Sequence, residues 1–383
     1  MVQRTFLWVL ALVIIVLSAC NSDKKQDPVK NLFGNQEPDS VYTPFYAKGF
    51  SISYFGDNKL IEVYDPWDST RAGSLFVVGD ETTPEKFRNS QIPFIEFPVT
   101  NWAAFSSTQV VFAEKIGMLE TLKSVAEPQY ISNSYIQERL KKDEVRNVGM
   151  ANAADVEVLL EVSPQFIFVS PFKDNRYSHL ADAGLLLIND ASYLETSPLG
   201  RAEWLVFFSA FFDKEKEAVS IFKEISERYN SITGKVSETN IRPTVVTGTL
   251  FNAIWYMPAG ESYMARLFND AGTSYEYSDR EGTGSLGLDF ETVFNDFHDS
   301  DYWIFTVNHA GQFTRDDLLQ MDERYGDFHA FKDGKIIFSN THHSLFYEKG
   351  IIEPDVVLKD LAASLHPNLY PNYEAVYFEF LNE

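Results

Sequence analysis

Three histidines, one arginine and a scatter of aromatic side chains carry most of the chemistry this sequence offers. His309 follows the apolar run that ends at Val307, and His342-His343 follows Lys335–Ser339. Neutral imidazole can ligate iron or stand axial to haem. Adjacent residues of a strand point to opposite faces, so His342 and His343 are not expected to share one metal. A loop histidine serves equally well as a surface hydrogen-bonding group, and both readings stand. Trp102, Ser106, Phe172, Trp255 and Tyr256 fall where strand-like runs give way to loops, the usual ligand position in open α/β sheets. Aromatics with a few polar groups suit a large, flat or hydrophobic chelate, while any single tryptophan also reads as plain core. Arg201 lies in Pro198-Leu-Gly-Arg-Ala-Glu-Trp204 at a helix start. It either pairs with Glu195 or Glu203, the expected role, or meets a ligand carboxylate or catecholate with its planar guanidinium.

Other chemistries lack their parts. No Gly-x-Ser-x-Gly elbow and no glycine-rich phosphate loop opening a helix is present. The pairs Asp279/Glu281 and Asp316/Asp317 sit on polar stretches and read as solvated faces. Bare zinc or manganese would need several histidines and carboxylates converging, and no compact motif provides them. A metal-dependent enzyme is therefore the weakest alternative. The 32 basic and 55 acidic residues give a net charge of −23, a poor footprint for nucleic acid or anionic headgroups.

The sole cysteine, Cys20, closes Leu17-Ser-Ala-Cys20 directly after an uncharged run from Phe6 to Val16, with Arg4 ahead of it. That run is too short for a membrane span of about 20 apolar residues and has the flanks of a secretion signal. It resembles the bacterial lipoprotein signal, in which the cysteine is lipidated and becomes the mature N-terminus. An exported chain tethered by lipid and facing the periplasm is expected, with no intrachain disulfide. Asn21 leaves the membrane leaflet open.

These groups need a scaffold. Residues 1–19 read as signal peptide and 20–40 as a polar, Pro/Gly-containing tether. The remainder exceeds the ~250–300 residues at which one core stops growing, so two lobes are expected. The hydropathy pattern predicts an N-terminal lobe over 41–212, a long helix over 213–235 and a C-terminal lobe over 236–383. An early hairpin spans Phe45–Trp67, with alternation on either side of Gly56-Asp57-Asn58. From Ile95 onward strands and helices alternate: a strand at Ile95–Val99, a helix at Val110–Ile116, then Val156–Glu161 as helix and Phe166–Ser170 as buried strand. Ala218, Ile221, Phe222, Ile225, Tyr229 and Ile232 form one helical stripe. The same order then repeats with strands at Thr244–Thr247, Tyr302–Thr306 and Lys335–Phe338. The predicted fold class is α/β: two lobes with parallel-type sheets, bridged by one long rigid helix, plus an added N-terminal β-hairpin region.

The segment Gly149-Met-Ala-Asn-Ala-Ala-Asp-Val-Glu157, continuing through Pro164 to Phe166-Ile-Phe-Val-Ser170, is similar to a signature of the periplasmic substrate-binding proteins of ABC importers, the class III or TroA-like family for ferric siderophores, haem and cobalamin. Leu288-Asp-Phe-Glu291-Thr-Val-Phe294 ahead of Asp301-Tyr-Trp-Ile-Phe305 supplies the second copy. Further similarity runs from about Phe94 to Pro367, through Trp255-Tyr-Met-Pro258 and Glu353-Pro-Asp355. The resemblance implies two lobes with ligand in the cleft, Glu157 and Glu291 as docking carboxylates for permease arginines, and small lobe movement about the bridging helix. It also implies a monomer that captures a metal chelate, a ferric siderophore before haem or cobalamin, without a cofactor of its own. A lipoprotein that scavenges a chelate without feeding a permease is the alternative, and each glutamate would then be an ordinary solvated helix residue.

Overall fold

A computed structural model describes residues 28–68, 73–174 and 176–382. The signal-like segment and Cys20 lie outside these residues. The chain divides into two units, 1–37 and 38–383. In the first, helix α1 (Pro28–Phe33) stands where composition predicts an unstructured tether. Proline suits a first helical turn, and Gly34 at φ +66° takes the left-handed conformation that ends a helix. No helix of the described residues is long and apolar enough to cross a membrane.

The second unit opens with a five-stranded sheet. Strands β1 (Ser40–Tyr42), β2 (Phe50–Phe55), β3 (Asn58–Val63), β4 (Ser74–Gly79) and β5 (Phe94–Glu96) lie in that order. β2 and β3 are the expected hairpin, paired from Phe50–Val63 to Phe55–Asn58. The region is larger than predicted, and the stretch beginning near Ile95, read as the first strand of the lobe, is instead the parallel partner of β4. Pro98 follows it with no N–H to donate, and the strand of the lobe begins later, at Trp102.

The N-terminal lobe sheet contains β6 (Trp102–Ala104), β7 (Leu122–Val125), β8 (Arg146–Asn147), β9 (Ile167–Val169) and β10 (Leu187–Asn189), all parallel, in the order β10-β9-β6-β7-β8. Helix α2 (Ser107–Lys115) follows β6 and starts from a capping box between Ser106 and Gln109. Helix α3 (Val156–Val162) precedes β9, and α4 (Pro198–Ala210) is buried along almost its whole length.

Helix α5 (Glu215–Ser237) has 23 residues and is therefore about 35 Å long. Its stripe of Ala218, Phe222, Ile225, Tyr229, Ile232 and Val236 is buried. Beyond it, β11 (Val245–Thr247), β15 (Tyr302–Val307) and β16 (Ile336–Asn340) form the parallel part of the C-terminal sheet. A three-stranded antiparallel meander, β12 (Leu250–Phe251), β13 (Ile254–Pro258) and β14 (Ser285–Leu288), is inserted between β11 and β15. β17 (Glu379–Phe380) closes the sheet antiparallel to β16. Helices α6 (Tyr263–Asp270), α7 (Phe290–Phe297), α8 (Phe346–Lys349) and α9 (Pro354–Leu365) are among those of the lobe. α5 packs against α4 on one side and α9 on the other. It is tied to the C-terminal lobe by Tyr229 Oη to Asp270 at 2.7 Å and by Arg228 Nε to Asp355 at 2.6 Å.

Candidate ligand cleft

Loops at the carboxyl ends of both parallel sheets face one another across two adjoining cavities. The first, about 500 Å³, is lined from the N-terminal lobe by Thr108, Tyr193 and Arg201. From the other lobe come Thr247, Gly248, Tyr256, Tyr263, Thr306 and Tyr347. The second, about 950 Å³, is lined by Ser106, Glu127, Tyr130, Phe172 and Arg176 on one side and by Asn308, Thr341, His342, Tyr347 and Glu348 on the other. Residues just past β6, β7, β9, β11, β15 and β16 all reach one of these spaces, as the strand-end rule requires. Both volumes fall in the range of small-molecule sites.

The expected ligand residues divide. Ser106, Phe172 and His342 line the second cavity and Tyr256 the first. Trp102 and Trp255 do not reach the cleft, for both are fully buried. Trp102 lies within β6 and packs edge-on to Phe168, Phe208 and Phe212. Trp255 lies within β13, where its neighbours Ile254 and Tyr256 point outward; it stacks on Trp303 and donates its indole N–H to the Thr247 carbonyl at 2.7 Å. His342 and His343 do not sit on opposite faces of a strand as expected: they lie in the turn after β16, with their rings edge-to-face and centroids 4.8 Å apart. His309 packs on Phe313 with Nδ1 3.2 Å from the Gly311 carbonyl, and His343 faces a separate depression with Nε2 3.1 Å from the Ala310 carbonyl. Among the described residues no group of three or more histidines, cysteines and carboxylates is arranged to hold a metal ion.

Arg201 corrects the sequence reading most. Neither expected partner turns its carboxylate to it. Glu203 accepts the N–H groups of Phe45, Tyr46 and Ala47 at 2.9, 2.7 and 2.8 Å and the Tyr42 hydroxyl at 2.9 Å. Glu195 accepts Lys48 N–H, Gly49 N–H and the Trp204 indole N–H. Arg201 instead donates Nε to the Glu195 carbonyl at 2.9 Å and lies 4.0 Å over the Tyr263 ring. No carboxylate of the described residues forms an ion pair with it. Burial pulls the guanidinium below the usual arginine value, Tyr263 and Glu195 opposing this, but arginine keeps its proton in proteins. The first cavity therefore holds a positive charge that no carboxylate of the described residues meets in a salt bridge, Glu195 acting on it only at longer range, in a space lined by Tyr193, Tyr256, Tyr263 and Tyr347. Burial also raises the Tyr263 phenol above its ordinary value, with Arg201 opposing.

Glu157 and Glu291 occupy equivalent places on the two lobes. Each is the second residue of its helix, behind an aspartate cap: Asp155 accepts Val158 N–H at 3.1 Å, and Asp289 accepts Thr292 N–H at 2.7 Å. Both glutamates are exposed. They differ in one respect, because Glu291 Oε1 meets Arg324 Nη1 at 3.2 Å while Arg324 also pairs with Asp322 and lies over Phe290.

Residues 103–340 match the family model for periplasmic binding proteins. An uncharacterized lipoprotein of Methanocaldococcus jannaschii is 26% identical over 397 residues, covering 96% of this chain and 93% of that protein. Two solved structures share the fold. One is a periplasmic heme binding protein from Pseudomonas aeruginosa, with a TM-score of 0.56 and 13% identity over 74% of this chain and 99% of that one. The other belongs to an ABC-type Fe3+-hydroxamate transport system from Saccharomonospora viridis, with a TM-score of 0.54 and 14% identity over 70% and 94%. The five-stranded sheet lies ahead of the residues matched by the family.

Proposed function

The chain belongs to the periplasmic binding protein family, a family of binding proteins rather than enzymes, and on that premise we propose that it captures a metal chelate between its lobes and hands it to an ABC importer permease. A ferric siderophore comes first as the cargo, haem or cobalamin next. The observation that carries this reading is Arg201, a half-buried cation with no salt-bridged carboxylate among the described residues, in a cavity lined by tyrosines. Such a site suits an anionic, partly aromatic ligand, since a guanidinium gives carboxylates and catecholates directional, charge-assisted hydrogen bonds. Fold relatives described as binding heme and as serving ferric hydroxamate support an iron chelate. The lipoprotein relative, similar over nearly the whole chain, supports export and lipidation at Cys20.

Native mass spectrometry and visible absorption with a ferric catecholate, a ferric hydroxamate, haem and cobalamin test the proposal. One of the four should bind tightly. Arg201→Ala should weaken it about tenfold to a hundredfold, the worth of a hydrogen bond to a charged group. Binding of none would sink the chelate reading. Equal affinity in the variant would remove Arg201 from the site while leaving the cleft.

A further inference from the structure

Tyr347 lines both inter-lobe cavities and thereby marks the element that separates them. It sits on α8, which lies in the C-terminal half of the sequence yet packs on α2 of the other lobe. The Tyr347 hydroxyl is 3.1 Å from that of Thr306. Its neighbour Glu348, only 6% exposed, crosses the cleft and accepts the Ser132 N–H on both carboxylate oxygens, at 3.0 and 3.1 Å. No basic side chain of the described residues forms an ion pair with Glu348, so this backbone donor is its tie to the opposite lobe. Leu345 enters the helix at φ +55°, a left-handed conformation that a leucine adopts only under constraint from its surroundings.

The bridging helix gives this arrangement its meaning. A continuous helix cannot absorb a large dihedral change at one point, so the lobes are not free to swing apart widely. Space for a bulky ligand must then come from a local element. We infer that α8 is a releasable crossbar, latched by Glu348 onto Ser132, that partitions the cleft while it is seated. The inference rests on the cleft being the ligand site. Under it, Tyr347 and Glu348 set the size of chelate admitted, and entry and exit of anything larger than one chamber require the latch to open.

Hydrogen exchange read by mass spectrometry on the full chain without ligand tests the latch independently of the cargo's identity. Glu348→Ala should speed exchange at least tenfold in the peptide containing Ser132. It should do the same over residues 345–352, where Lys349 and Gly350 N–H donate to the Leu345 and Phe346 carbonyls. Strands β2 and β3, remote from the cleft, should keep wild-type rates. Faster exchange at Ser132 with 345–352 unchanged would overturn the crossbar, since the helix would then be held by its own packing. If the alanine variant loosens the whole fold, Glu348→Gln decides. It keeps one carbonyl acceptor and should still speed both segments several-fold over intact β2 and β3, and unchanged rates there would overturn the proposal.

Discussion

His366 is 5% exposed, with Nε2 3.0 Å from the Ala271 carbonyl. Burial, chiefly, holds it below the ordinary histidine value of 6.5, and Arg242 adds to this while the Ala271 and Gly272 backbone oppose. The folded state thus prefers the neutral ring. Between the lowered folded value and 6.5 the unfolded chain binds the extra proton, so this stabilisation is complete above about pH 6.5 and is lost as pH falls through the folded value. His366→Gln keeps an N–H donor for Ala271 without the titration. Its melting temperature should change less between pH 7.5 and pH 5 than that of the wild type, by on the order of 1–2 °C; an unchanged slope in calorimetry would rule the residue out. At this scale the sequence was partly legible. Ser106, Phe172 and His342 could be placed because the ends of parallel strands point at the cleft, whereas Tyr256 reaches it from within the antiparallel β13. Trp102 and Trp255 could not, because β6 is three residues long and β13 belongs to a meander hidden by a locally mixed pattern. Of the two partners weighed for Arg201, Glu195 meets it through its backbone carbonyl and not in a salt bridge: nothing in the local sequence shows that the Glu195 and Glu203 carboxylates are taken by backbone donors some 150 residues earlier.

Between elements, those two carboxylates join the added sheet to α4. Glu203 is 1% exposed and holds three consecutive backbone N–H groups together with Tyr42. Truncating it leaves the buried Ala47 N–H and the part-buried Phe45, Tyr46 and Tyr42 donors without their acceptor, at about 1–3 kcal/mol for each that cannot reach water. Glu203→Ala should therefore lose roughly 3–5 kcal/mol in denaturant unfolding, with exchange rising first over residues 42–49. A loss below 1 kcal/mol would show that water substitutes for the carboxylate. Helices α2, α3 and α5 and the longer strands were legible from their apolar spacing. The five-stranded extent of the sheet was not, since β1 and β5 are too short for a period. Nor was α8, a single turn whose position depends on the opposite lobe.

Across the whole molecule, the duplicated aspartate-capped helices place Glu157 and Glu291 on separate lobes, and α5 packs against α4 of one and α9 of the other. Two exposed carboxylates at a set separation can each take a permease arginine in a bidentate pair, defining orientation as well as contact. The duplication was visible in the sequence because each copy sits beside a strong buried strand. The Arg324 contact was not, because it comes from a loop beyond the motif. Arg324 makes the two ends unequal: under the docking proposal Glu291 exchanges a partner on meeting the permease, whereas Glu157 has no ion pair to give up among the described residues. Replacing both with alanine should leave chelate affinity unchanged, since neither lines either inter-lobe cavity, while abolishing ATP-driven uptake into membrane vesicles holding the permease. Arg324→Ala, which frees Glu291, should leave uptake equal or higher. Undiminished uptake by the double variant would favour a scavenger that never meets a permease, and the paired glutamates would then be solvated first-turn residues that stabilise their helices through the dipole alone.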